Sequence, residues 1–161
     1  MPAWKRSLDL VLGGMLLVLL SPIGLLCWAA VRLTSSGPIL HWSRRVGKDN
    51  QVFLMPKFRT MRANTPQVAT HLLQRPERYL TPIGGLLRKA SLDELPQLVS
   101  VWRGDLSLVG PRPALFNQDD LVALRTDHGV HRLVPGITGW AQVNGATSWK
   151  FQSRLPMTRS I

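Results

Sequence analysis

One cysteine in 161 residues, Cys27, excludes an internal disulfide, which suits a domain facing the cytoplasm. Cys27 follows two leucines, unlike a lipid-attachment cysteine, and reads as a buried hydrophobe. The four histidines, His41, His71, His128 and His131, are scattered, so no Cys/His metal spacing exists and each reads as a surface or packing residue. There is no internal repeat and no low-complexity tract. Acids are also scarce: nine stand against 20 basic residues, for a formal charge of +11. Of those bases 15 are arginine, whose planar fork pairs with phosphate in a bidentate way. The expected partners are therefore rich in phosphate: anionic lipid, nucleotide or nucleic acid. Nucleic acid is set aside, because neither a recognition helix nor an aromatic platform accompanies the charge.

Charge is missing altogether from Leu10 to Val31, 22 residues interrupted only by Ser21-Pro22. As a straight helix such a run is about 33 Å long, enough to cross a hydrocarbon core of roughly 30 Å. Pro22 removes a backbone donor and presses on the carbonyl four residues back, so a kink or break is expected there. The Ser21 hydroxyl is placed to satisfy the freed carbonyl. Lys5 and Arg6 precede the run, and Arg32, Arg44, Arg45 and Lys48 follow it. The positive-inside bias thus acts on both ends, which suits a segment that enters the membrane and returns, while a proline-kinked spanning anchor stays open on the residues alone. A cleaved signal peptide is disfavoured, since the run exceeds an h-region of about 7 to 15 residues and no small-x-small site closes it.

Beyond a turn cluster at residues 35–38, Ile39 to Trp42 reads as a short strand, Arg44 to Gln51 as a basic hairpin-like loop, and Val52 to Met61 as extended. A short helix is expected near Val68 to Gln74. Leu92, Leu95, Leu98, Val99 and Trp102 share a face at helical spacing, with Gly104 as the stop. Asp119 to Asp127 is a further helix candidate. Pro135 to Gly145 reads as a Gly-rich loop carrying Trp140, which is open between stacking on a base, the membrane interface and a core position.

Asp93 and Glu94 admit two readings. Ser91 followed by Glu94 has the spacing of a capping box, and acids in a first helical turn complement the macrodipole. The same two carboxylates are also the sole negative pair amid Arg88, Lys89, Arg103 and Arg112. In that reading Asp93 attacks phosphorus, and Glu94 holds Mg²⁺, which takes only one or two protein carboxylates. Arg112 is stiffened between Pro111 and Pro113, which suits a phosphate clamp as well as a rigid surface turn. Lys57 and Arg59, spaced by two, share a face if the segment is extended.

These segments in order resemble the bacterial sugar transferase family, the small monotopic polyprenyl-phosphate phosphoglycosyl transferases. The matching pieces are Lys5-Arg6 through Asp9, Ser21-Pro22, Gly37-Pro38-Ile39, Arg45-Val46-Gly47, Lys57 through Met61, Arg88 through Gln97, Arg103-Gly104-Asp105, Leu108 through Pro113 and Pro135 through Gly145. The resemblance covers about residues 4–145. It implies an α+β fold: a re-entrant helix–break–helix hairpin over residues 1–33, and a small, mainly helical cytoplasmic catalytic domain over 34–145 with amphipathic interfacial helices. The implied reaction moves a sugar 1-phosphate from a UDP-sugar to polyprenyl (undecaprenyl) phosphate and releases UMP, starting a lipid-linked surface glycan at the bacterial inner membrane. Implied roles are Asp93 as nucleophile, Asp93 and Glu94 as Mg²⁺ ligands, and Arg112, Arg88, Lys57 and Arg59 as phosphate-binding residues, with Ser21 and Pro22 at the membrane turn. The expected partners are the UDP-sugar, the polyprenyl phosphate and membrane lipids, with no nucleic acid. After Gly145 the family usually continues with an arginine and a helical tail bearing acidic and aromatic residues. Here Ala146 follows, and residues 146–161 are expected to form a divergent or truncated basic tail. That departure supports a second expectation, a catalytically impaired membrane-anchored member serving as a binding or assembly subunit.

Overall fold

A computed structural model describes residues 1–62, 65 and 76–143. The helix expected near Val68 to Gln74 and the tail over 146–161 lie outside the described residues. The apolar run lies within one helix, α1 (Ala3–Thr34), which continues through Pro22. No gap in the helix marks the expected break at Ser21-Pro22, and the local reason is visible. Pro22 cannot bond the Val18 carbonyl, and the Ser21 hydroxyl donates to that same oxygen at 2.8 Å.

Both ends of α1 are fixed on the same domain. Near the N-terminus, Asp9 is buried and accepts from the Leu108 amide at 3.1 Å and the Ser107 hydroxyl at 2.8 Å. Lys5 joins the cluster through Asp9 at 3.4 Å and through Ser107. Arg6 donates to the carbonyls of Val101 at 2.6 Å and Trp102 at 2.7 Å. At the other end Cys27 and Val31 are buried with Phe58 and Leu87, and Ile39, Leu40, Ile83, Leu92 and Leu95 pack around them. Cys27 is therefore the buried hydrophobe expected. Between the two ends Met15, Val18, Leu19, Leu25 and Leu26 are exposed, so the most apolar stretch is uncovered by protein.

Strands β1 (Leu40–Val46) and β2 (Val52–Phe58) form an antiparallel hairpin around the turn at Gly47 to Gln51. Helix α2 (Gly84–Lys89) and a 3₁₀ turn at Leu92–Glu94 lead into α3 (Gln97–Arg103). The expected capping box is absent. Ser91 takes a left-handed conformation with φ 56° and makes no side-chain cap bond. Gly104 does end α3, with φ 95°. The buried face of α3 is Gln97, Leu98, Ser100 and Val101, whereas Val99 and Trp102 are exposed, the latter against Gly14 of α1.

Strand β3 (Ser107–Val109) is followed by β4 (Ala114–Leu115), α4 (Asp119–Asp127), β5 (Gly136–Thr138) and α5 (Trp140–Val143). The main sheet has the order β2-β1-β4, and β3 pairs with β5 in parallel. The Gly-rich stretch is thus partly a strand, and the domain mixes strand and helix instead of being mainly helical. Glycine there is a steric necessity: a Cβ on Gly136 would lie 2.0 Å from the Gly110 nitrogen. A second core of Met55, Val101 and Leu106 joins β2 to α3.

Candidate active site

Asp93 and Glu94 sit on the 3₁₀ turn between α2 and α3, pressed against β2. Because Ser91 does not engage Glu94 in a cap, the glutamate is free to turn outward. It meets Arg112 from the loop after β3, with Nη2 2.5 Å from Oε1 and Nη1 3.5 Å from Oε2. This fork-to-fork geometry leaves other guanidinium donors of Arg112 open to a further anion. Arg88, in the last turn of α2, is held by its Nε donating to the Thr60 hydroxyl at 2.8 Å. Lys57 projects from β2 within electrostatic reach of both acids.

Five predicted residues, Asp93, Glu94, Arg112, Arg88 and Lys57, therefore meet at one place. Arg59 does not join them. Strand β2 ends at Phe58, the alternation lapses, and the buried Arg59 guanidinium turns to the end of α1, donating to the Ser35 carbonyl at 3.0 Å and hydroxyl at 2.8 Å. The shared face expected for Lys57 and Arg59 is thus corrected: Arg59 stabilises a helix C-terminus, where a cation complements the dipole. Ser21 and Pro22 lie in the exposed middle of α1.

Two residues of the site are not among those the sequence singles out. Arg45 faces it from β1, its Nε donating to Ser43 at 3.0 Å and its Nη1 to the Pro113 carbonyl at 3.2 Å. His41 stands directly opposite Lys57 in the hairpin register. The signal that could have found them is the alternation His41, Ser43, Arg45, which places one face of β1 toward the acids.

The electrostatics are dominated by desolvation of like charges. Burial pushes the Asp93 carboxyl above its ordinary value, with Glu94 adding to this, against the opposing pull of Lys57, Arg88 and a backbone hydrogen bond. Burial would raise Glu94 too, but the hydrogen bond and charge of Arg112, with Lys57 and Arg45, outweigh it and hold Glu94 low. Arg45 is lowered to about 10 by burial and by Arg112, partly offset by Glu94. Burial and Arg45 also lower Lys57. So many compressed cations form a site that gains from receiving an anion. Two adjacent carboxylates, of which Asp93 has no ion pair among the described residues, are a donor set that fits a hard divalent cation sharing its shell with phosphate and water.

The bacterial sugar transferase family model matches residues 1–159. The UDP-glucose:undecaprenyl-phosphate glucose-1-phosphate transferase of Escherichia coli (strain K12) is 42% identical over 145 residues, covering 88% of this chain and 31% of its own length. The Caulobacter vibrioides protein of the same name is 44% identical over 145 residues, covering 88% and 54%. The exopolysaccharide production protein ExoY of Sinorhizobium fredii is 35% identical over 166 residues, covering 94% and 73%. This chain thus spans about a third to a half of the two glucose-1-phosphate transferases.

Proposed function

The chain belongs to the bacterial sugar transferase family, and from that premise we propose that it transfers a sugar 1-phosphate from a UDP-sugar to undecaprenyl phosphate, releasing UMP. The observation that carries this reading is the meeting of Asp93 with Glu94, Arg112, Lys57 and Arg88. In the first half-reaction an Asp93 carboxylate oxygen bonds to the phosphorus bearing the sugar, and the bond to the UMP oxygen breaks. Lys57 and Arg88 draw Asp93 toward its ionised form, and Arg112 with Arg45 compensates the negative charge gathering on the leaving phosphate. In the second half-reaction an oxygen of the lipid phosphate bonds to the same phosphorus and frees Asp93. Asp93 and Glu94 would hold Mg²⁺, which when bound supplies Lewis-acid neutralisation of phosphate oxygens.

Membrane placement follows the same reading. A helix that crossed the bilayer would carry Asp9 and Val31 about 33 Å apart on opposite faces. Both residues are instead buried against one domain, with the exposed apolar middle between them. This supports a re-entrant helix whose two ends return to the cytoplasmic face of the inner membrane, with the exposed Val99 and Trp102 beside α1 at the interface.

The test is product identity. Membranes holding the protein, given a UDP-sugar and undecaprenyl phosphate, should release UMP, and a sugar-phosphate adduct should be trapped on the protein when the lipid is withheld. Asp93→Asn should lose both by at least about 10³-fold, the scale of removing a nucleophile. Release of UDP would replace this mechanism by direct glycosyl transfer. Normal membrane insertion with no adduct at any substrate concentration would favour the impaired, anchoring member.

A further inference from the structure

We propose that Arg112 couples the divalent cation to the sugar donor: without donor its fork lies on Glu94 and excludes the cation, and the donor diphosphate draws the fork away. The inference rests on the transfer reaction proposed above for naming the donor, though not for the competition between Arg112 and a cation over Glu94.

Glu94 has two claims on it. A hard cation that shares its shell with phosphate and water needs the pair Asp93 and Glu94 as its protein ligands. In the structure both Glu94 oxygens already face Arg112, Oε1 2.5 Å from Nη2 and Oε2 3.5 Å from Nη1. An ion about 2.1 Å from Oε1 would stand no more than roughly 4.6 Å from that guanidinium nitrogen. The guanidinium cannot shed its proton to relieve the repulsion, which at this range is large even when well screened. Fork and cation therefore compete for one carboxylate. Asp93, buried and without an ion pair among the described residues, offers a single side chain and does not replace the pair.

The chain around Arg112 is arranged so that its side chain moves while its backbone stays. The Pro111 carbonyl accepts from the Gly136 amide at 3.0 Å and the Pro113 carbonyl from Arg45 Nη1 at 3.2 Å, while both prolines fix φ. Among the described residues the guanidinium hydrogen-bonds to Glu94 alone. The Arg112 side chain is also the outer member of the pair, 42% exposed against 20% for Glu94, so a turn outward takes it into water. The charge of Arg45 pushes it the same way.

A diphosphate supplies what makes the turn favourable. Its oxygens match the planar fork as well as a carboxylate does, and they carry more charge. With Arg112 on the diphosphate, Glu94 is released to stand with Asp93, and the phosphate charge lies between the guanidinium and the cation. Each ligand then binds more tightly in the presence of the other, by the same factor in both directions. No covalent bond is made or broken in the exchange.

The experiment is a Mn²⁺ titration of the full chain in detergent micelles, with free metal read by electron paramagnetic resonance. Mn²⁺ is the probe because it shares the preference of Mg²⁺ for oxygen ligands. UMP is the phosphate probe, and free Mn²⁺ is set after allowing for its complex with UMP. Without UMP, Arg112→Gln should bind Mn²⁺ about tenfold tighter or more than the unchanged protein. Arg112→Met, which keeps the apolar stem, should do the same if glutamine finds a new contact. Adding Glu94→Gln to Arg112→Gln should remove the gain, which places the ion on Glu94. Saturating UMP should tighten Mn²⁺ at least about fivefold more in the unchanged protein than in Arg112→Gln. If Arg112 instead stays on Glu94 and meets phosphate with its remaining N–H groups, neither Arg112 variant will bind Mn²⁺ more tightly, and the proposal is overturned. An equal gain from UMP in both proteins overturns it as well. If no UDP-sugar yields UMP while the Mn²⁺ response persists, the transfer reading fails and the competition for Glu94 stands.

Discussion

Thr60 has no chemistry of its own in the proposed transfer, yet it decides where Arg88 points. It is buried, its hydroxyl accepts from the Arg88 Nε, and its carbonyl accepts from the Thr81 amide at 2.9 Å. Thr60→Val keeps the shape and removes the acceptor. It should cost about 1–2 kcal/mol in thermal unfolding, the scale of a partly buried charged group left unpaired, and lower the kcat of UMP release about tenfold by freeing Arg88 to wander from Asp93. Thr60→Ser should restore both; a valine variant that loses stability but keeps kcat would remove Thr60 from the positioning role. Legibility at this scale is uneven for physical reasons. Asp93, Glu94 and Arg112 stand out because acids are scarce and two prolines frame the arginine. Arg59 leaves the face expected of it because a period of two holds only while the strand lasts, and β2 ends at Phe58. In the sequence Arg45 reads as topological charge and His41 as packing, since only the register reveals that both share a face with Lys57.

Among the elements, those set by local rules are legible and those set by distant backbone are not. The hairpin is readable in part, since β1 runs on to Val46 through residues expected in the basic loop and β2 stops at Phe58; α4 is readable from the acids that open it, and Gly104 ends α3 as expected. The capping box fails because Ser91 is turned left-handed, which no local pattern announces. The stretch from Pro135 reads as a loop because its glycines look like flexibility, while in the structure they permit contact. Gly136 and Gly110 touch backbone to backbone as β3 and β5 pair, and this pairing carries the chain between Arg112 and the rest of the domain. Gly136→Ala should therefore force the strands apart, costing about 3 kcal/mol or more, the upper range for overpacking. Gly24→Ala, with nothing within 4 Å of the added methyl, should be neutral or mildly stabilising in a helix. Thermal unfolding of the two variants in the same detergent checks the contrast; equal midpoints would mean that the β3–β5 contact yields without cost.

For the whole molecule, the re-entrant topology proposed above asks what would make a helix of 32 residues with an apolar middle return instead of crossing. Pro22 alone is a weak answer, because α1 is continuous and the Ser21 hydroxyl repairs the missing bond. The stronger constraint is the polar clamp at the N-terminal end, where buried Asp9 is held by Ser107, Leu108 and Lys5, and Arg6 caps the last carbonyls of α3. Stripping one partner from such a buried charged cluster costs about 3–5 kcal/mol. Replacing proline inside a helix gains about 3 kcal/mol, so Pro22→Leu by itself does not outweigh the clamp and should leave the topology unchanged. Combining it with Arg6→Ala and Asp9→Leu removes the clamp, weakens the basic flank and takes away the proline together. The measurement uses the chain's single cysteine: in a Cys27→Ala background, Pro2→Cys and Lys48→Cys are probed separately with a membrane-impermeant thiol reagent. In the otherwise unchanged protein and in Pro22→Leu both positions should label only after the cytoplasm is opened. In the triple variant Pro2→Cys should label from outside intact spheroplasts while Lys48→Cys does not, and UMP release should fall with it, because α3, which follows the Asp93 turn, loses the helix that Val101 and Trp102 pack on. Labelling of Pro2→Cys from outside without any other change would make α1 a spanning anchor and remove the clamp from the account of topology.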